Sequence, residues 1–354
     1  MPRITVVAAL LVTVACVPEE HVAAGLDDPQ VIVDFADVVV VPTYQLLATR
    51  IDALHTAAQT LAAQPSDPTL TAAQDAWLAA RVPWEQSEGF LFGPVDTFGY
   101  DPAMDSWPVN HTDLDAVLAS GDALTADYVA NLQETQKGFH TAEYLIFGSA
   151  RSKTAADLTA RELEYLTAIT AELNVVAHAL AASWTESVDG RPPYRDLLAT
   201  AGESGNSAYP SLAAAAQEIL DGMIGICDEV ANGKIADPWD AHDANLVESQ
   251  FALNSIADFQ DNLRSVENAY TGAVPAAGTA GDGLTSYVAA QDAALDERVR
   301  GEITAAIAAL GAIPPPFSTA ITDDDAGDDI EAAQAAIRAL QATLEGDVQP
   351  LVLR

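Results

Sequence analysis

The stretch Gln45-Leu46-Leu47-Ala48-Thr49-Arg50-Ile51-Asp52-Ala53-Leu54-His55-Thr56-Ala57-Ala58-Gln59-Thr60-Leu61 decides the fold class. Its large apolar residues Leu46, Leu47, Ile51, Leu54 and Leu61 recur at three- and four-residue spacings, the period of one helix face. Alanine, the best helix former, fills much of the remainder. The same style continues outward. Ser66-Asp67-Pro68 opens a second helix, with Pro68 near the first turn, where a missing N–H does no harm. That helix carries Leu70, Trp77, Leu78 and Trp84, and Pro83 is expected to kink it. Residues 93–111, rich in Gly, Pro and Asp, are expected to form a loop. Helices are expected near 112–119, 122–147 and 155–187. After Pro192-Pro193 they are expected near 208–233, 242–270, 284–311 and 328–346, with a Gly/Ala/Pro loop at 272–283 and a break at Pro314-Pro315-Pro316. Val38 to Val41 is β-prone alone but sits among helical neighbours. The expectation is an all-α protein of two helical bundles, residues 31–195 and 196–354.

Composition narrows the function. The chain has 354 residues, of which 49% are hydrophobic, so it can bury a large core and is not disordered as a whole. Aspartate and glutamate number 52 against 15 lysines and arginines, a net charge of -37. Such a chain repels phosphate backbones, which argues against nucleic-acid binding. Metal ions and other cations remain suitable partners. The same acidity also suits solubility in a salty habitat. Two cysteines exclude a disulfide scaffold.

The N-terminus reads as an address. Arg3 precedes an apolar run from Ile4 to Ala15, too short to span a bilayer permanently and suited to a secretory signal peptide. Thr13-Val14-Ala15-Cys16 resembles a bacterial lipobox, with Thr13 where Leu is usual. On this reading residues 1–16 are the signal, Cys16 carries the lipid, and residues 17–30 are a polar tether. Val17 stands where Asp would retain a lipoprotein in the inner membrane, so an outer-membrane anchor facing the periplasm is expected. Cys227, in an apolar helical stretch, is expected to be buried and inert.

Few motifs carry chemistry. Gly138-Phe139-His140-Thr141-Ala142-Glu143 places His140 and Glu143 three apart, on one helix face. An imidazole beside a carboxylate suits Zn, Fe, Mn or Cu. A histidine amid Phe139 and Tyr144-Leu145-Ile146-Phe147 is also what a satisfied core histidine looks like. Glu85 and Glu88 form a second pair, close to Arg81, and Asp96, Asp101 and Asp105 follow in the loop. Two such helices could bring three or four hard ligands together. The run Asp323-Asp324-Asp325-Ala326-Gly327-Asp328-Asp329 fails as an EF-hand, because its sixth position is Asp328 and its twelfth Gln334. HExxH, GxSxG and P-loop patterns are absent.

Several segments, in order, resemble the imelysin-like lipoproteins of bacteria. They are Trp77 to Glu88, Ser106-Trp107-Pro108, Lys137 to Gly148, and Glu248-Ser249-Gln250-Phe251 with Asn254-Ser255, Asp258-Phe259, Asn262, Arg264 and Tyr270-Thr271-Gly272. Pro316-Phe317 completes the set. The resemblance covers essentially the whole mature chain. It implies an all-α fold of two bundles and a link to iron uptake or regulation; some members are described as peptidases. By position it implies His140, Glu143 and Glu88 as metal ligands, with Glu85 and Asp105 beside them. Arg81, Trp107, Asp258, Asn262 and Arg264 would support the site, Arg81 by holding a carboxylate.

Three functions follow as expectations. The first is an envelope lipoprotein binding a divalent or trivalent metal ion, iron in preference to zinc, free or as a complex. The second is a metallopeptidase with Glu143 as general base, chemically poor with one histidine in the motif. The third is a non-catalytic interaction protein; the sequence names no protein partner.

Overall fold

The computed structural model describes residues 25–354; the signal segment, Cys16 and residues 17–24 of the tether lie outside the described residues. The fold is all-α. The opening stretch lies in one continuous helix, Pro29–Ala63, whose turn Phe35–Val40 is a π-helix. Leu47, Ile51, Leu54 and Leu61 are buried, as their period requires. Asp67–Glu85 follows, started by a capping box between Ser66 and Thr69 and carrying Pro83 in its last turn. Ala160–Thr185 starts on a second box, between Thr159 and Glu162. The first of these helices packs against both of the others.

In the second half Leu212–Glu229, Ser255–Thr271, Ala293–Ala312 and Gly327–Thr343 pack together. The two halves share one continuous buried core. Where they meet, Ser255–Thr271 lies against Asp67–Glu85, and the short turn Glu88–Phe90 lies against Leu212–Glu229. The backbones approach closely there: a Cβ at Gly222 would collide with the Gly89 carbonyl. The expected boundary between residues 195 and 196 falls inside the short helix Tyr194–Ala199.

Some expected helices are divided. The 122–147 segment breaks into Ala126–Ala130, a 3-10 turn Glu134–Gln136, and Gly138–Phe147. Gly138 takes φ +77, and a Cβ there would strike the Met104 carbonyl, so the chain turns before the His140 helix begins. The 242–270 segment starts as a helix only at Ser255, and Asp292 caps a new helix inside 284–311. The 272–283 loop contains a small hairpin, Ala273–Val274 paired with Thr279–Ala280. Cys227 is buried, and burial pushes its thiol up to about 12, so it is unreactive.

Candidate metal centre

The junction of the two halves is charged rather than apolar. Arg81, Glu85, Glu88, Asp105, His140, Glu143, Lys234, Glu248, Asp258 and Asn262 are all buried. Burying an unpaired charge is costly, so each must be accounted for.

Arg81 is the hub. Trp77 and Phe139 flank its guanidinium at 5.6 and 5.2 Å, giving it an apolar collar. It is ion-paired with Glu85, one turn on, and with Asp105. It reaches Glu248 at 2.8 Å and lies 3.8 Å from Asp258. The Trp84 indole N–H donates to the other oxygen of Asp105 at 2.6 Å. Burial would raise the Asp105 pKa, but Arg81 and His140 outweigh it and hold the carboxyl well below its usual value.

His140 and Glu143 face the same way on the helix Gly138–Phe147, as three-residue spacing requires. His140 Nδ1 lies 2.8 Å from Glu143 Oε2. The other oxygen, Oε1, accepts the backbone N–H groups of Phe251 and Ala252 at 2.9 and 2.7 Å. Those donors come from a turn in which Ser249 and Leu253 sit at φ +49 and +57, strained for residues with a Cβ. Both oxygens of Glu143 are therefore engaged, and the imidazole is fixed in orientation. Its free nitrogen, Nε2, is buried and makes no aligned hydrogen bond. It points at Asp105 Oδ1, 3.2 Å away, and Glu248 Oε1, 4.0 Å away. Burial alone would lower the His140 pKa; the charge and close approach of Asp105 and the bond to Glu143 overcome that and hold it at about 9.

Lys234 occupies the other side. Its ammonium lies 2.8 Å from Glu88, 3.0 Å from Glu248 and 3.9 Å from Glu85. Asn262 donates to Glu85 at 2.6 Å and to Glu88 at 3.1 Å. Burial raises both glutamates well above the usual carboxylate range, while Arg81 and Lys234 oppose it. Asp258, buried and held by Asn254 at 2.7 Å, is raised to about 7.

Candidate ligand atoms from Asp105, His140 and Glu248 all lie within 4.8 Å of one another, as do atoms from Glu85, Glu88, Asp105 and Glu248. The structure thus brings four of the five residues expected as ligands into these sets, while the fifth, Glu143, turns its oxygens to His140 and the 249–253 turn. Arg81, Asp258 and Asn262 join the cluster. Arg264 does not; it pairs with Asp261 on the outer side and is 39% exposed. Trp107 lines a cleft leading in from solvent. Asp96 lies in the short helix Pro94–Phe98 and is exposed.

Residues 40–344 match the profile of the imelysin family. The chain belongs to that family. Iron-regulated protein A of Synechococcus elongatus is 34% identical over 323 residues, spanning 91% of this imelysin chain and 86% of the cyanobacterial one. A crystal structure of a Parabacteroides distasonis protein, also named for iron-regulated protein A, superposes with a TM-score of 0.84 at 29% identity, covering 95% of this chain and 98% of that one. An imelysin-like protein of Psychrobacter arcticum shares the fold at 17% identity, with a TM-score of 0.73 and coverage of 94% and 98%.

Two cluster residues escaped the sequence reading of the site. Glu248 stood in a motif but was not taken as a ligand. Lys234, in Asn232-Gly233-Lys234, looks like a surface turn. Its one signal is scarcity: the chain has only three lysines, and two of them, Lys137 and Lys234, are buried.

Proposed function

We propose that this imelysin binds one metal ion between His140, Asp105 and Glu248, with Glu85 and Glu88 alongside, and serves an iron-related role in the cell envelope. The observation that carries this reading is His140 Nε2, a buried ring nitrogen with no aligned hydrogen bond, aimed at two carboxylates. Metal-bound imidazoles commonly hold their second nitrogen on a carboxylate, which is the part Glu143 plays. One nitrogen and several oxygens suit iron, zinc or manganese. His140 would hold the ion through a neutral imidazole, so binding would release any proton on that nitrogen and weaken as pH falls. The access cleft measures about 200 Å³. Organic ligand pockets run to roughly 300–1,000 Å³, so a hydrated ion fits better than haem.

The peptidase reading has less support, because a general base needs a free oxygen and Glu143 has none. The names of the two iron-regulated relatives support iron as the physiological ion. The apolar segment ending at Cys16 fits a signal peptide and supports a lipid anchor at the outer membrane.

The test is anaerobic titration of the purified protein with Fe(II), read by calorimetry. One ion per chain is expected, and His140→Ala should weaken it at least about 100-fold while the helical circular dichroism stays intact. Undiminished binding by His140→Ala would remove the reading. Global unfolding would mark His140 as a core residue instead.

A further inference from the structure

The cluster already holds a cation where a second metal-ligand set converges. Atoms of Glu85, Glu88, Asp105 and Glu248 come within 4.8 Å of one another, and Lys234 Nζ lies against three of those four acids. The ammonium's positive charge would oppose that of a metal ion bound to the same carboxylates. The Lys234 side chain is 2% exposed, yet it lines the cleft that opens to solvent. Asp101 and Glu229 line the same cleft and are more exposed than Lys234. Glu229 is exposed and ends the helix Leu212–Glu229; Lys234 ends the π-turn Val230–Lys234 that follows. The lysine stem is long and freely rotatable, and its head is a compact point charge with no fixed fork to hold it. Arg81 is different. Its planar fork bridges several acids beneath an aromatic collar, and it stays.

We propose that Lys234 is a built-in counter-ion that is exchanged for the incoming metal: as the ion settles among Glu88, Glu248 and the His140 side of the cluster, the ammonium swings out along the cleft to Asp101 and Glu229. This rests on the metal-binding reading above and adds its regulation. The exchange keeps the buried acids compensated at every stage, since a bare set of carboxylates would repel itself. It also sets a threshold on affinity, because the ion must displace a resident positive charge rather than fill free space. Asp101 and Glu229 serve twice: they attract the hydrated cation inward and receive the ammonium coming out.

Two measurements decide the matter. In the first, the wild-type protein is pulse-acetylated with and without saturating Fe(II) under anaerobic conditions, and each lysine is read by peptide mass spectrometry. Lys234 should acetylate at least about tenfold faster with Fe(II), while buried Lys137 stays unchanged. In the second, Lys234→Met should bind Fe(II) at least about tenfold more tightly than wild type, because a repelling charge a few ångströms from the ion is gone. Wild-type binding with Lys234 still protected overturns the exchange and leaves the metal site standing. So does a Lys234→Met affinity equal to or below that of wild type. No Fe(II) binding by either protein overturns both. Should Lys234→Met fail to fold, the acetylation of the wild type decides alone.

Discussion

The two faces of the charged centre solve the same problem differently. On the His140 face Glu143 is held by two backbone N–H groups and in turn holds the imidazole, leaving one nitrogen directed inward. On the Lys234 face a flexible ammonium stands among Glu85, Glu88 and Glu248, beside a cleft to solvent. The first face leaves one imidazole nitrogen without an aligned hydrogen bond. The second sets a long, rotatable lysine stem against the acids. Arg81 lies between them and ties both to one scaffold. The lesson is that a buried acid cluster can be compensated from two sides, by fixed hydrogen bonds on one and by a lysine on the other.

The largest expected effect comes from removing the tie. Arg81→Met leaves Asp105, Glu85 and Glu248 without their shared partner, and breaking a buried ion pair on one side costs about 3–5 kcal/mol. Urea unfolding at pH 7 should show that loss. A loss under ~1 kcal/mol would mean that the two faces stand independently. A smaller effect tests the rigid face. Glu143→Gln keeps the shape but weakens the hold on the imidazole, and substitutions of such outer partners typically reduce metal affinity about 10–100-fold. Fe(II) titration of the variant checks this, and an unchanged affinity would show that the ring needs no orienting partner.

The helical class was readable because period and capping are local. Ser66 starts a helix where Ser66-Asp67-Pro68 placed it, and the 155–187 pattern is a helix over Ala160–Thr185, started by Thr159 a few residues later than expected. Helix breaks were harder, since Gly138 turns the chain to pass the Met104 carbonyl, a contact 34 positions away in sequence. The rigid half of the site was legible for the same local reason: His140 and Glu143 share one helix. The adaptable half was not. Glu248 and Lys234 arrive from separate segments, and their meeting depends on how Leu212–Glu229 packs against the Glu88–Phe90 turn. A lysine also carries no spacing signature. Only its burial reveals that it is part of the core chemistry.

A buried acid outside the cluster sharpens the contrast, because it has neither device. Glu172, on Ala160–Thr185, is 4% exposed, and its Oε2 has no hydrogen-bond partner. Burial raises its pKa to about 7, with the Lys137 charge opposing only in part. A carboxyl raised in the folded state binds its proton more tightly there than in the unfolded chain. Its contribution to stability is therefore fully present below the unfolded value, near 4.5, and is lost as pH rises through about 7. Glu172→Gln cannot ionise, so it should match wild type near pH 4.5 and exceed it by about 1–2 kcal/mol at pH 8. Urea melts at the two pH values read this directly. A gain of equal size at both would trace the effect to packing rather than charge. It would also remove the contrast, since a lone buried carboxylate would then cost no more than one that Arg81 or Lys234 attends.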